Sequence, residues 1–394
     1  TPTTQGALLF NGNHSAIGAS WFSLQLPPGA LSQNPPLVLM LRAVARSKDA
    51  HSEAWRQAAY LLHTSVTASD SSLNIFDGEL KARHRDRAAR YDPGPDPLLD
   101  EVADRLLDRL KDCTRAFESV LVLGGAGRQV AERLEREAPG TRHVTHVDTS
   151  QAMLDALARL HAASARSTPQ TYVHWTDTRN ETLPVAPGTY DAVVACLGLH
   201  WINDVPGVLT QCRHALKPDG LFLGAMLGGT TLQELRIACT LAQQEREGGV
   251  APRLSPLAQV RDAGNLLTRA GLTIPAVDVD DIQVQYRDAM QLVRHLRQLA
   301  ETNALTQRRA FLPRDSALAT AAIYSSLFGK EGEPEQGIPA TFQARAIYLT
   351  GWAPDPSQRG PARRGTATVS FGDLQKDLGA GPQAADESQK PGTI

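Results

Sequence analysis

The chain has 394 residues and a net charge of −2. That is long enough for one large domain or two ordinary ones with a sizeable core, and too evenly balanced for a global electrostatic attraction to nucleic acid. No apolar run reaches the length of a membrane-spanning helix. The four cysteines, Cys113, Cys196, Cys212 and Cys239, form no C-x-x-C pair, so the pattern argues for reduced, mostly buried thiols and against a zinc site.

Residues 1–39 are rich in Ser, Pro and Gly, contain no acid and read as unfolded. From Met40 the text changes. Arg42, Arg46, Lys48 and Arg56 are interleaved with apolar residues, and the acids are few (Asp49, Glu53). This reads as an amphipathic mitochondrial presequence starting at Met40, or as a basic disordered tail. The expected organisation is therefore an extension over 1–72, a folded domain over 73–354 and a flexible tail over 355–394.

Folded material is expected from Leu73 into a helical run, Glu79 to Arg90, that carries Lys81, Arg83, His84, Arg85, Arg87 and Arg90. Such a run is either a solvated helix face or a basic face for an acidic partner or membrane surface. Pro93 to Pro97 breaks the chain, and Leu98 to Leu110 resumes helical spacing. Ser119 to Leu123 is an apolar strand that enters a glycine turn at Gly124, Gly125 and Gly127. A helix over Gln129 to Glu137 follows, then a second strand ending in Asp148. This is the opening of a doubly wound α/β sheet: bare glycines at a helix N-terminus approach a ligand, and the acid about 20 residues on receives ribose hydroxyls.

Ser150 or Thr149 is placed to cap a helix over Gln151 to His161. Thr171 to Trp175 reads as a third strand, and Asp177 just beyond it is either an adenine-amino acceptor or an ordinary turn aspartate. Tyr190 to Leu197 reads as a buried strand. Leu199, His200, Trp201, Ile202, Asn203 and Asp204 then stand at its carboxyl end, where open α/β sheets bind ligands. His200 suits a base or an orienting group, and Trp201 suits stacking on a planar cation. The plainer alternative makes Trp201 a plug, His200 a local hydrogen-bonder and Asp204 a helix cap. His143, His146 and Asp148 suggest an iron triad, but strand alternation turns His143 to the other face, so no metal site is expected.

Asp204 to Ala215 is expected as a helix, Lys217 to Gly220 as a turn and Leu221 to Met226 as a fifth strand. Thr231 to Glu234 has the form of a capping box opening a helix that ends at Gly248. A helix over 258–270, a strand over 276–286, helices over 289–302 and 316–328, and a closing strand over 341–352 complete the domain. A short strand-like piece over 367–371 stands in the tail.

In several stretches the chain resembles the mitochondrial complex I assembly factor 5 family of arginine hydroxylases. These are Leu-Asn-Ile-Phe-Asp over 73–77, Leu-His-Trp-Ile-Asn-Asp-Val-Pro over 199–206, Leu-Lys-Pro-Asp-Gly over 216–220 and Gly-Ala-Met from Gly224, with Gly228 and Gly229. Glu-Arg-Glu-Gly-Gly over 245–249, Asp-Ile-Gln-Val over 281–284 and Ala-Thr-Val-Ser-Phe-Gly over 367–372 carry it further. The resemblance spans about Leu73 to Lys376. It implies a class I methyltransferase-like fold with helical insertions and a C-terminal antiparallel strand. It also implies hydroxylation of an arginine on an iron–sulfur subunit of the complex I quinone-binding module, on the matrix side of the inner membrane. Other complex I assembly proteins, and peripheral contact with that membrane, are the further partners implied.

Class I methyltransferases bind S-adenosylmethionine and usually place an acid two residues before the first glycine. Here Val122 holds that position and Arg128 holds the last glycine position of the turn, both of which weaken the expectation of that cofactor. The alternatives are a non-catalytic assembly chaperone on the same fold, and a conventional S-adenosylmethionine-dependent methyltransferase akin to those acting on malonyl carrier protein.

Overall fold

The computed structural model describes residues 74–91, 96–164, 168–309, 311–328 and 340–358, with residues 360, 365, 370, 372 and 373 beyond them. The extension over 1–72 with its presequence from Met40, Leu73, and the strand-like piece over 367–371 apart from Ser370 lie outside the described residues.

Helices α1 (Gly78–Ala88) and α2 (Pro97–Asp108) precede β1 (Ser119–Leu123), α3 (Gly127–Glu137), β2 (His143–Asp148), α4 (Gln151–Ala163), β3 (Gln170–His174) and β4 (Tyr190–Cys196). After a 3₁₀ turn over Leu199–Trp201 come α5 (Val205–Ala215), β5 (Leu216–Leu227), α6 (Gln233–Glu247), α7 (Val260–Arg269), β6 (Thr273–Tyr286), α8 (Ala289–Gln298), α9 (Arg314–Phe328) and β7 (Ala340–Trp352). The seven strands lie in the order β3-β2-β1-β4-β5-β7-β6. The first five are parallel, and β7 inserts antiparallel between β5 and β6. This is the class I methyltransferase sheet, and the order reverses beside β1, which leaves a crevice at the carboxyl ends of β1 and β4.

The strands in the middle are apolar on both faces because helices cover both sides. Val120 and Val122 of β1 and Ala192, Val194 and Cys196 of β4 pack with α2, α3 and α8. Leu121, Leu123, Val193 and Ala195 pack with α5 and α7. All seven residues of β4 are buried.

Three local expectations change. Lys217 to Gly220 lies inside β5 as a bulge: the register steps from Tyr190 opposite Leu216 to Ala192 opposite Leu221, with Asp219 at φ +59°. Thr231 caps no helix. The chain leaves the sheet at Gly228, and the Arg345 N–H of β7 would lose its strand partner, so the Thr231 hydroxyl accepts from it at 2.9 Å while donating to Gly228 O. α6 then begins from Leu232 in a left-handed conformation with no side-chain cap. Finally, α8 stops at Gln298 because Ala300 turns left-handed (φ +61°) and the Glu301 N–H returns to Leu296 O at 2.7 Å. That reversal aims Glu301 back at the crevice.

The basic run of α1 is not wholly solvated. Arg83, Arg87 and Arg90 are exposed, but Lys81, His84, Arg85 and Ala88 are buried, one helical stripe facing the sheet ends.

Candidate functional site

The glycine turn is built for bare backbone. Gly124 and Gly125 have φ of +56° and +58°, and a Cβ on Gly125 would stand 1.7 Å from Cys196 O, so only glycine fits. Gly124 N–H donates to Val147 O and Ala126 N–H to Cys196 O, both at 2.8 Å, which bolts the turn to β2 and β4. Behind it α3 begins at Gly127 with no side-chain cap and no acid in its first turn. Its open amides therefore favour a negative or polar ligand group.

Asp148 ends β2 beside this turn and is nearly buried. Arg85 of α1 grips it: Nε donates to Oδ1 at 3.0 Å and Nη2 to Oδ2 at 2.5 Å, and Nη2 also donates to Gly125 O at 3.0 Å. Ser150 N–H adds a bond to Oδ1 at 2.8 Å. Burial opposes the charge on Arg85, but the Asp148 carboxylate outweighs it and holds the guanidinium above its ordinary pKa. One clip stands next along α1, where Asp86 accepts from the Ser150 hydroxyl at 2.5 Å. Arg128, the residue best placed in sequence to block the crevice, pairs with Glu132 at 3.0 Å along its own helix. It leaves a cavity of about 630 Å³ open beside Gly124, Asp148, His146, Leu157, His200 and Glu301.

His146 is 2% exposed and stacks on Tyr172, with ring centroids 5.5 Å apart. Neither ring nitrogen has a hydrogen-bond partner of acceptable geometry. Burial pushes its pKa down to about 4, and nearby Gln170 offsets this only in part. His143 lies elsewhere, against the Thr171 hydroxyl at 3.0 Å. Among the described residues no three His, Cys, Asp or Glu side chains converge on a metal position.

At the mouth of β4 the residues expected as the site meet an acid that sequence reasoning missed. Glu301 accepts from His200 Nε2 at 3.0 Å, and from Trp201 Nε1 at 2.9 and 2.8 Å on its two oxygens. It also accepts from Lys81 Nζ at 3.0 Å. The Lys81 ammonium lies 3.7 Å from the centroid of the Trp201 ring and donates to Ala300 O at 2.7 Å. Burial opposes the Glu301 charge, but Lys81 and His200 hold the carboxyl well below its usual range. Burial in turn brings Lys81 down to about 8, with Glu301 working against it. Because Glu301 only accepts, the His200 proton sits on Nε2. Nδ1 then accepts from Leu227 N–H at 3.5 Å.

Asp204 caps α5 through Gly207 N–H at 2.9 Å. Asp177 accepts from Asn180 N–H at 3.1 Å, in the turn after β3 and outside the residues lining the cavities. The site thus brings together Gly124, Gly125, Gly127, Asp148, His200 and Trp201, and sets Asp204 and Asp177 apart from them. Lys81 and Arg85 were legible as two members of a helical stripe, but nothing in the text around Glu301 marks it.

Residues 121–224 match the family described as methyltransferase domain. The mitochondrial arginine-hydroxylase NDUFAF5 of Danio rerio is 40% identical over 311 residues, covering 78% of this chain and 92% of that protein. The Homo sapiens protein of that name is 41% identical, covering 79% and 86%. A malonyl-[acyl-carrier protein] O-methyltransferase of Xylella fastidiosa is 33% identical, covering 71% and 89%.

Proposed function

The chain belongs to the family of mitochondrial NDUFAF5 arginine-hydroxylases, and on that premise we propose that it hydroxylates an arginine side chain of a protein during the building of respiratory complex I. The substrate we infer is an iron–sulfur subunit of the quinone-binding module, met on the matrix side of the inner membrane in the company of other complex I assembly proteins. The exposed Arg83 and Arg87 of α1, with Arg90 just beyond its end, suit peripheral contact with that anionic surface.

The observation that carries this reading is the family membership over most of the chain. The crevice adds support, since Gly124, Gly125 and Asp148 frame a cavity large enough for a nucleoside-bearing ligand. The residues fit S-adenosylmethionine in kind: a bare turn, an uncapped helix N-terminus and an acid at the end of β2. Gly124, Gly125, Gly127 and Asp148 would hold it, and Asp177 would act only if its turn moved. When bound, the cofactor would supply a sulfonium centre with a transferable methyl group, while the oxygen added to the arginine would come from a separate oxidant such as dioxygen with a reductant. Of the chain's own residues, Glu301 orients His200 and Trp201 and keeps the proton on Nε2. The apolar walls, Leu98, Leu157 and Leu227 among them, keep water from the reacting centre.

Mass spectrometry of the iron–sulfur subunit, from cells with and without this protein, tests the reading. One arginine should carry an extra oxygen only in the first, and an arginine unchanged between the two rejects the activity. A second reading, a docking scaffold without catalysis, is favoured by Val122 in place of an acid and by the grip of Arg85 on Asp148. On that reading the double variant His200→Ala, Asp148→Ala still supports complex I assembly, whereas an enzyme loses it.

A further inference from the structure

Lys81 is a buried charge that serves neither the glycine turn nor the cofactor acid, so its place needs a reason. Its ammonium lies over the face of Trp201, 3.7 Å from the ring centroid, and 3.0 Å from the Glu301 carboxylate, which the indole N–H holds at the edge of the ring. An indole face with a carboxylate at its edge is a receptor for a cation. Structural stability alone explains it poorly, since a buried ion pair is often no more stabilising than an apolar pair of similar volume. The receptor is also held rigid from outside the pair. Trp201 Nε1 and His200 Nε2 fix the Glu301 carboxylate, and the Phe76 ring packs edge-on against Trp201 at 5.3 Å. Glu301 and His200 line the large cavity, while Lys81 and Trp201 line a smaller one of about 70 Å³ that shares Gly124, Gly125 and Asp148 with it. The receptor therefore borders both cavities, Glu301 on the larger and Trp201 on the smaller.

We propose that Trp201 and Glu301 are the receptor for the guanidinium of the substrate arginine, and that Lys81 occupies this receptor until the substrate displaces it. The proposal rests on the arginine-hydroxylase reading above and names the residues that select the arginine. A guanidinium suits the receptor better than the ammonium does. It is planar, so it stacks on the indole, and an N–H at its edge can donate to the carboxylate beside the ring. The exchange also keeps Glu301 paired throughout: one cation replaces another, and no unpaired charge is left buried. The four-carbon stem of Lys81 lets the ammonium swing out toward solvent while α1 stays in place. A neutral isostere of arginine would have to evict Lys81 without replacing its charge, so the receptor is selective as well as attractive.

Calorimetry with the full chain tests this, using acetyl-arginine methylamide and its citrulline counterpart as probes. The arginine probe should bind, and the citrulline probe about a hundredfold more weakly. Lys81→Met removes the occupant and should tighten arginine binding about tenfold, while Lys81→Arg supplies a guanidinium of its own and should weaken it by a similar factor. Glu301→Gln should abolish it. Should that variant fail to fold, the two Lys81 variants, with circular dichroism matching the wild type, decide the matter. Equal affinity in both of them, citrulline binding as well as arginine, or no heat from Lys81→Met with millimolar probe would overturn the proposal. Binding and turnover are read separately. Glu301-dependent binding with no oxygen added to any arginine rejects hydroxylation and keeps the receptor, while full hydroxylation by Glu301→Gln overturns the receptor and keeps hydroxylation.

Discussion

His146 stores a pH dependence in a single ring. Its neutral form is buried against Tyr172 with no hydrogen-bond partner, and burial takes its pKa from about 6.5 to about 4. Between those values the unfolded chain binds a proton that the folded chain refuses, so stability is complete above about pH 6.5 and is lost as pH falls toward 4. His84, also lowered to about 4 by burial and the arginines around it, has the same sign. The His146 contribution is of the order of 3 kcal/mol. His146→Phe keeps the stack on Tyr172 and should flatten the decline of urea-unfolding stability between pH 6.5 and 4. An equally steep decline in that variant would place the acid sensitivity elsewhere. Glu301 shows the opposite behaviour at this scale: an acid in an unremarkable stretch of text acquires three donors only through the left-handed Ala300 behind it.

Among the elements, α1 decides how the site works. It touches the crevice at Lys81 on Glu301, Arg85 on Asp148 and Asp86 on Ser150, so a single helix covers both acids of the site. The Arg85 grip takes one acceptor position on each oxygen of the carboxylate that would receive a ribose diol. Arg85→Gln should therefore do two things at once. It breaks a buried ion pair, which costs about 3–5 kcal/mol, with a fall in melting temperature to match. It also frees Asp148, so S-adenosylmethionine should bind at least about tenfold tighter by calorimetry. Loss of stability with no gain in affinity would mean that Arg85 belongs to the ligand site and does not compete for it. The basic run of α1 was plain in the text as a charged helix, yet its sidedness was not. Lys81 and Arg85 share a stripe with Ala88, and their neighbours across space come from β2 and from the turn after α8.

At the scale of the whole molecule, the sequence by itself determined the sheet, the glycine turn and the family. Those rest on local periodicity, on glycines required where φ is positive at Gly124 and Gly125, and on an acid at a set distance along the chain, all of which are properties of neighbouring residues. It also carried the ligand-facing ends of β1 and β4, because parallel connectivity allows few other arrangements. Only the tertiary structure decided what fills the crevice. Arg128 turns aside to Glu132, while Arg85 crosses from α1 to Asp148, 63 residues away along the chain, and Lys81 reaches Glu301 across 220. A buried charge takes whichever counter-charge the packing brings within reach, and separations of that size leave no periodicity in the text from which the pairing could be read.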